Sequence, residues 1–184
     1  MLPDMIFFTG APGSRWSGIA QEIKQNPNFN STDRTSQRRY LHGDYSGHID
    51  AYFGTGMEFP ANPAEGGLQQ ANLNKPFSCW EKSAGCKLLM SHEWPYYFNK
   101  IIEQYPNAWI QLIYRNDFKS FKWWKQAGGF DITYPNYEWF KDDETMMARI
   151  EEINDLILDF AQHHELTWIQ HYKHNDVFIT IYKA

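Results

Sequence analysis

Cysteine is scarce: 184 residues hold two, Cys79 and Cys86. They are too widely spaced for a CxxC site and too few for a disulfide framework. Both thiols read as unpaired, in a reducing, cytoplasmic compartment. Long apolar runs are also missing. No stretch approaches the ~20 residues of a membrane-spanning helix, so no membrane partner is expected. The first ten residues have no basic stretch and no long apolar core, and they do not read as a signal peptide. Positive charge is in deficit: 17 Lys+Arg stand against 22 Asp+Glu, a net charge of −5. A general nucleic-acid binder needs a basic footprint, so no nucleic-acid partner is expected. Internal repeats and low-complexity tracts are absent too.

What is present is a globular composition, 42% hydrophobic and 21% charged. Aromatic residues make up 17%, from 8 Trp, 11 Tyr and 13 Phe. That content is core material and can also wall a pocket. The length suits a single domain over 1–184.

Apolar runs and helical periodicity alternate along the chain. Residues 5–9, 87–90, 108–114, 166–170 and 177–182 read as strands, and 17–25, 92–105, 117–126 and 143–162 as helices. Asp117 is the expected cap of the third helix. Met146, Ile150, Ile153 and Ile157 stripe the fourth as core. Residues 26–83, rich in Gly, Pro, Asn and Ser, form a long irregular insertion holding the basic cluster Arg34, Arg38 and Arg39 and a weak strand at 39–41. Strand–helix alternation implies an α/β fold with a mostly parallel sheet and helices on both faces.

Three motifs stand directly after strands. The first is Gly10-Ala11-Pro12-Gly13-Ser14-Arg15-Trp16-Ser17-Gly18, between the first strand and first helix. A glycine-rich turn opening a helix attracts an anion through its amides and the helix dipole. Against the pattern GxxxxGK[ST], Arg15 replaces the second glycine and Trp16 the lysine, which argues against ATP hydrolysis. The second is Ser91-His92, followed by Pro95; the third is Arg115-Asn116. Histidine titrates near neutrality and suits a general base. Arginine offers a planar fork to a phosphate. A parallel sheet brings all three to one edge, where ligands bind in open α/β sheets. Each has a plainer reading taken alone: a turn, a helix start, a surface ion pair.

Together these motifs resemble the P-loop sulfotransferases, over residues 5–25 and 87–126. That family carries P-K-[ST]-G-T-[ST]-W after its first strand, then a strand ending in K-[ST]-H and one ending in R-[ND]. Pro12, Ser14 and Ser17 fall in register with the loop, while Gly13 stands at the lysine, Arg15 at a glycine and Met90 at the second lysine. The resemblance implies a three-layer α/β/α P-loop fold. It also implies sulfuryl transfer from 3′-phosphoadenosine-5′-phosphosulfate to a hydroxyl or amine of a small-molecule or glycan acceptor, leaving adenosine 3′,5′-bisphosphate, with no metal. His92 would be the base and Arg15 the cation of the loop. Gly13, Ser14, Arg15, Trp16, Ser17 and Gly18 would wrap the 5′ side. Arg115 would hold the 3′-phosphate with Ser120, because Trp123 occupies the usual serine spacing. The chain is short for the family, lacks its R-K-G segment, and is similar to short sulfotransferase-like proteins of phage and marine microbial genomes. The rival readings are a nucleotide or small-molecule kinase with a degenerate loop, and a non-catalytic nucleotide-binding protein.

Other groups read as bland. His42, Asp44 and His48 could ligate a metal, but lie in a glycine-rich stretch that reads as a solvated loop. His163-His164 suits a helix C-terminus. His171, Lys173 and His174 read as a solvated turn, and the aromatic stretch 134–139 as packing.

Overall fold

A computed structural model describes residues 2–29, 40–42, 45–48, 85–132 and 141–183. Arg34, Arg38, Arg39, Asp44, Cys79 and the 134–139 stretch lie outside those residues, as do the side chains of His42 and His48.

In chain order the elements are β1 (Met5–Gly10), α1 (Trp16–Lys24), β2 (Tyr40–His42), β3 (Tyr45–His48), β4 (Lys87–Met90), α2 (Phe98–Gln104), β5 (Trp109–Arg115), α3 (Asp117–Gln126), α4 (Asp143–His163), β6 (Ile169–Gln170) and β7 (Val177–Lys183). β2 and β3 pair as a small antiparallel ribbon. The other five strands form one sheet in the order β4-β1-β5-β7-β6. No helix among the described residues is long and apolar enough to cross a membrane.

The fold is α/β as expected, but the sheet is mixed rather than mostly parallel. β1 runs parallel to β4 and β5, whereas β5–β7 and β7–β6 are antiparallel. The reason is the short connection after β6. Only residues 171–176 separate β6 from β7, and a parallel crossover needs a dozen residues or more. β7 therefore returns as a hairpin and pairs with β5 along its whole length, from Trp109↔Lys183 to Arg115↔Val177.

β1 is buried on both sides, as a central parallel strand must be. Successive strand residues point to opposite faces. The Phe8 ring stacks towards Trp16 of α1, at 6.1 Å between centroids. Phe7 meets Trp94 edge-on at 5.2 Å and Tyr105 at 5.4 Å. So α1 and the Trp94–Tyr97 turn cover opposite faces of β1. Register puts Gly10 beside Ile113, and Arg115 lies two residues further on, so Arg115 shares the α1 face.

Two helix boundaries differ from expectation. The helix expected over 92–105 begins only at Phe98, after a 3-10 turn at Trp94–Tyr97. Trp94 is fully buried and its indole Nε1 donates to the Leu89 carbonyl at 2.8 Å, which folds this segment back over β4. Asn116, not Asp117, caps α3: its side-chain oxygen accepts from the Lys119 amide. Asp117 instead takes the Asn154 amide at 2.6 Å, and the same amide reaches the Arg115 carbonyl at 2.9 Å. α4 starts at a capping box between Asp142 and Thr145. Its Met146, Ile150, Ile153 and Ile157 are fully buried, each worth roughly 1.5–3 kcal/mol of burial.

Candidate functional site

The connection leaving β1 leads to β4 on one side, and the one leaving β5 leads to β7 and β6 on the other. The order reverses between β1 and β5, and their carboxyl ends flank the place where open α/β sheets bind ligands. The loop after β1 stands there, with His92 from the β4 side and Arg115 from the β5 side.

A backbone bond from Ser14 N–H to the Ala11 carbonyl, 3.0 Å, closes the loop into a turn. Gly13 has φ 78° and Arg15 φ 71°. Gly13 lies against α3 so closely that a Cβ there would stand 1.9 Å from the Ser120 carbonyl oxygen. Gly10 is needed as well: its Cβ would be 2.6 Å from the Ser14 hydroxyl. That hydroxyl is buried and has no hydrogen-bond partner among the described residues, a state that costs on the order of 1–3 kcal/mol. α1 starts with no side-chain cap and no acidic residue in its first turn. The positive end of the helix and the buried Ser14 hydroxyl thus lie side by side, an arrangement of the kind that attracts an anion. Ser17 and the exposed Gly18 lie in that first turn, and among the described residues nothing stands within 4 Å of a Cβ at Gly18.

Trp16 turns inward, 5% exposed, and its ring lies 4.0 Å from the His92 imidazole. His92 is itself fully buried. Its Nδ1 is 2.5 Å from the Gly10 carbonyl oxygen. A carbonyl only accepts, so Nδ1 donates to it, and of the two neutral tautomers this bond selects the one that leaves Nε2 as the acceptor nitrogen.

The Arg15 guanidinium stacks on the Trp123 ring of α3, 3.2 Å from its centroid. Burial, and then the charge of Arg115, lower its pKa against the pull of Asp176. Arg115 donates from Nε and Nη2 to Asp176 Oδ2, at 2.9 and 2.8 Å, and from Nη1 to the Gly13 carbonyl at 3.1 Å. Lys119 Nζ stands 4.0 Å from the same carboxylate oxygen. Burial alone would raise the Asp176 carboxyl, but the Arg115 hydrogen bond and charge hold it below the usual carboxylate value. Ser120 is buried with its hydroxyl on the Arg115 carbonyl at 3.1 Å, so it braces the end of β5.

The 171–176 hairpin, expected as a solvated turn, is pinned in place. Glu22 of α1 accepts from Tyr172 and Lys173, both at 2.9 Å. The Lys173 hydrogen bond is the main cause that holds the Glu22 carboxyl low. His171 is 7% exposed. His174 lies within electrostatic reach of Arg15; burial and then that charge lower its pKa.

The structure therefore brings the loop, His92 and Arg115 into direct contact. Asp176, Lys119 and Trp123 join them without having been picked out from sequence, and only Trp123 had a signal there, as the residue at the serine spacing. Among the described residues no group of three or more His, Cys, Asp or Glu is placed to hold a metal ion. No family model, curated protein or solved structure matches the chain.

Proposed function

We propose that this edge belongs to a three-layer α/β/α domain of the P-loop sulfotransferase type. It would use 3′-phosphoadenosine-5′-phosphosulfate to sulfate a hydroxyl or amine of a small-molecule or glycan acceptor in a reducing, cytoplasmic compartment. The observation that carries the reading is the His92–Gly10 hydrogen bond. It fixes the tautomer in which Nε2 can take a proton, and it does so on the backbone of the anion-binding loop. The Ser14 hydroxyl, the uncapped start of α1 and the amides of residues 16–18 suit the 5′-phosphosulfate. The donor supplies an activated sulfuryl group. In this reading His92 accepts the acceptor's proton, and Arg15 adds positive charge beside the bridging oxygen as charge builds there.

One observation favours a non-catalytic nucleotide-binding protein instead: His92 is fully buried against Trp16. The kinase reading is weaker, because Trp16, at the position of the phosphate-binding lysine, is part of the core.

A thermal-shift panel of adenosine 3′,5′-bisphosphate, AMP and ATP·Mg tests nucleotide binding. A ligand at 100 times its dissociation constant adds about 2.7 kcal/mol of stability. Release of the bisphosphate from the sulfated donor, over a panel of phenols, monosaccharides and amines, then separates enzyme from binder. Stabilisation by ATP·Mg alone, with phosphate release, would sink the sulfuryl-transfer reading.

A further inference from the structure

Arg115 and Lys119 converge on one carboxylate, that of Asp176, and Arg15 lies within its electrostatic reach. In a chain of net charge −5, two cations meet one carboxylate here among the described residues. The pairing at its centre is only half used. Arg115 Nε and Nη2 both point at Asp176 Oδ2, whereas a full fork-to-fork pair engages two oxygens. A phosphate offers that fork two oxygens and more charge. Arg115 does not need Asp176 to stay in place, since Nη1 is held by the Gly13 carbonyl and Ser120 and Asn154 both hold its own carbonyl. The carboxylate has somewhere to go, because Lys119 on α3 stands 4.0 Å from the oxygen that Arg115 grips.

We propose that Asp176 is a specificity-determining residue of this edge, a built-in competitor for Arg115. A nucleotide's second phosphate reaches the guanidinium only by displacing the carboxylate. Asp176 thereby narrows the preference for a bisphosphorylated over a monophosphorylated nucleotide. The proposal rests on the nucleotide-binding reading above and adds to it the residue that sets which nucleotide is held.

The test is calorimetric titration of adenosine 3′,5′-bisphosphate and AMP into wild type and Asp176→Asn, with Asp176→Ser as a second variant should the first unfold. Asparagine keeps the shape and an acceptor oxygen while removing the charge. We expect bisphosphate affinity to rise ten- to a hundredfold in Asp176→Asn, the range of a hydrogen bond to a charged group. AMP affinity should change less than threefold. The gain should vanish in Asp176→Asn combined with Arg115→Gln. Equal gains for both nucleotides, or AMP binding with no gain for the bisphosphate, overturn the role of Asp176 and leave the nucleotide reading standing. If neither nucleotide binds wild type or variant, the nucleotide reading falls and this proposal falls with it.

Discussion

Gly13 rests on the backbone of Ser120, leaving 1.9 Å between a side-chain carbon at position 13 and the Ser120 carbonyl oxygen. Neither partner can yield, because the oxygen belongs to α3 and Gly13 also sits at φ 78°. Gly13→Ala should cost about 3 kcal/mol or more. Gly18, which no described residue crowds in the first turn of α1, should behave oppositely. Gly18→Ala should gain about 0.5–1 kcal/mol. Urea unfolding of both variants checks the pair; equal effects would refute the packing described.

Asp176 gives stability a pH dependence with a definite sign. Its folded carboxyl lies below the unfolded value, so its pairing stabilises the protein above about pH 4. That contribution is lost as the pH falls below this and passes through the folded value. The stability gap between wild type and Asp176→Asn should be about 1 kcal/mol at pH 7, given partial exposure. It should close as the pH falls below about 4. A gap that widens on acidification would contradict the pairing.

His92 variants separate chemistry from structure. In His92→Asn the amide nitrogen can take the place of Nδ1 on the Gly10 carbonyl, while the basic Nε2 is gone. Sulfuryl transfer should fall by about 10²–10⁴ with nucleotide affinity within a few-fold of wild type. His92→Phe removes that hydrogen bond as well and should cost about 1–3 kcal/mol. Transfer that survives in His92→Asn would leave His92 as a brace only.

Cys86 should be inert. It is 3% exposed, and burial, helped by the charge of Asp4, pushes its thiol up to about 12. In a Cys79→Ser variant, a thiol reagent at pH 8 should react only after denaturant is added. Fast labelling of the native protein would show that this side of the core opens.

Local patterns made much of the fold legible. β1, β5, α3 and α4 fall at the expected places because buried runs and the Met146–Ile157 stripe are periodic within a few turns. The direction of β7 was less legible, since strand–helix alternation favours parallel sheets and the hairpin length only matters once β6 is known to be two residues long. The start of α2 was hidden because it depends on where one indole, Trp94, finds an acceptor. At the site, the glycine loop, histidine and arginine each follow a strand, so sequence order alone brings them to one edge. Asp176 could not be found that way. It lies 61 positions from Arg115, and the Lys173 contact with Glu22 spans 151; no local spacing encodes such pairs.

The Gly10–Gly18 loop is written in consecutive residues but finished from far away. His92 reaches it across 82 positions and Arg115 across 102. Contacts of that separation form late, because chain closure must be achieved before they contribute. A nascent chain that has emerged only as far as β4 has no Arg115 to fix Gly13 and no Ser120 beneath it. The Gly10–Gly18 loop is thus among the last parts of the molecule to take shape during synthesis, and any ligand binding by it would report on completion of the whole β1–β5 pairing rather than on the segment that contains it.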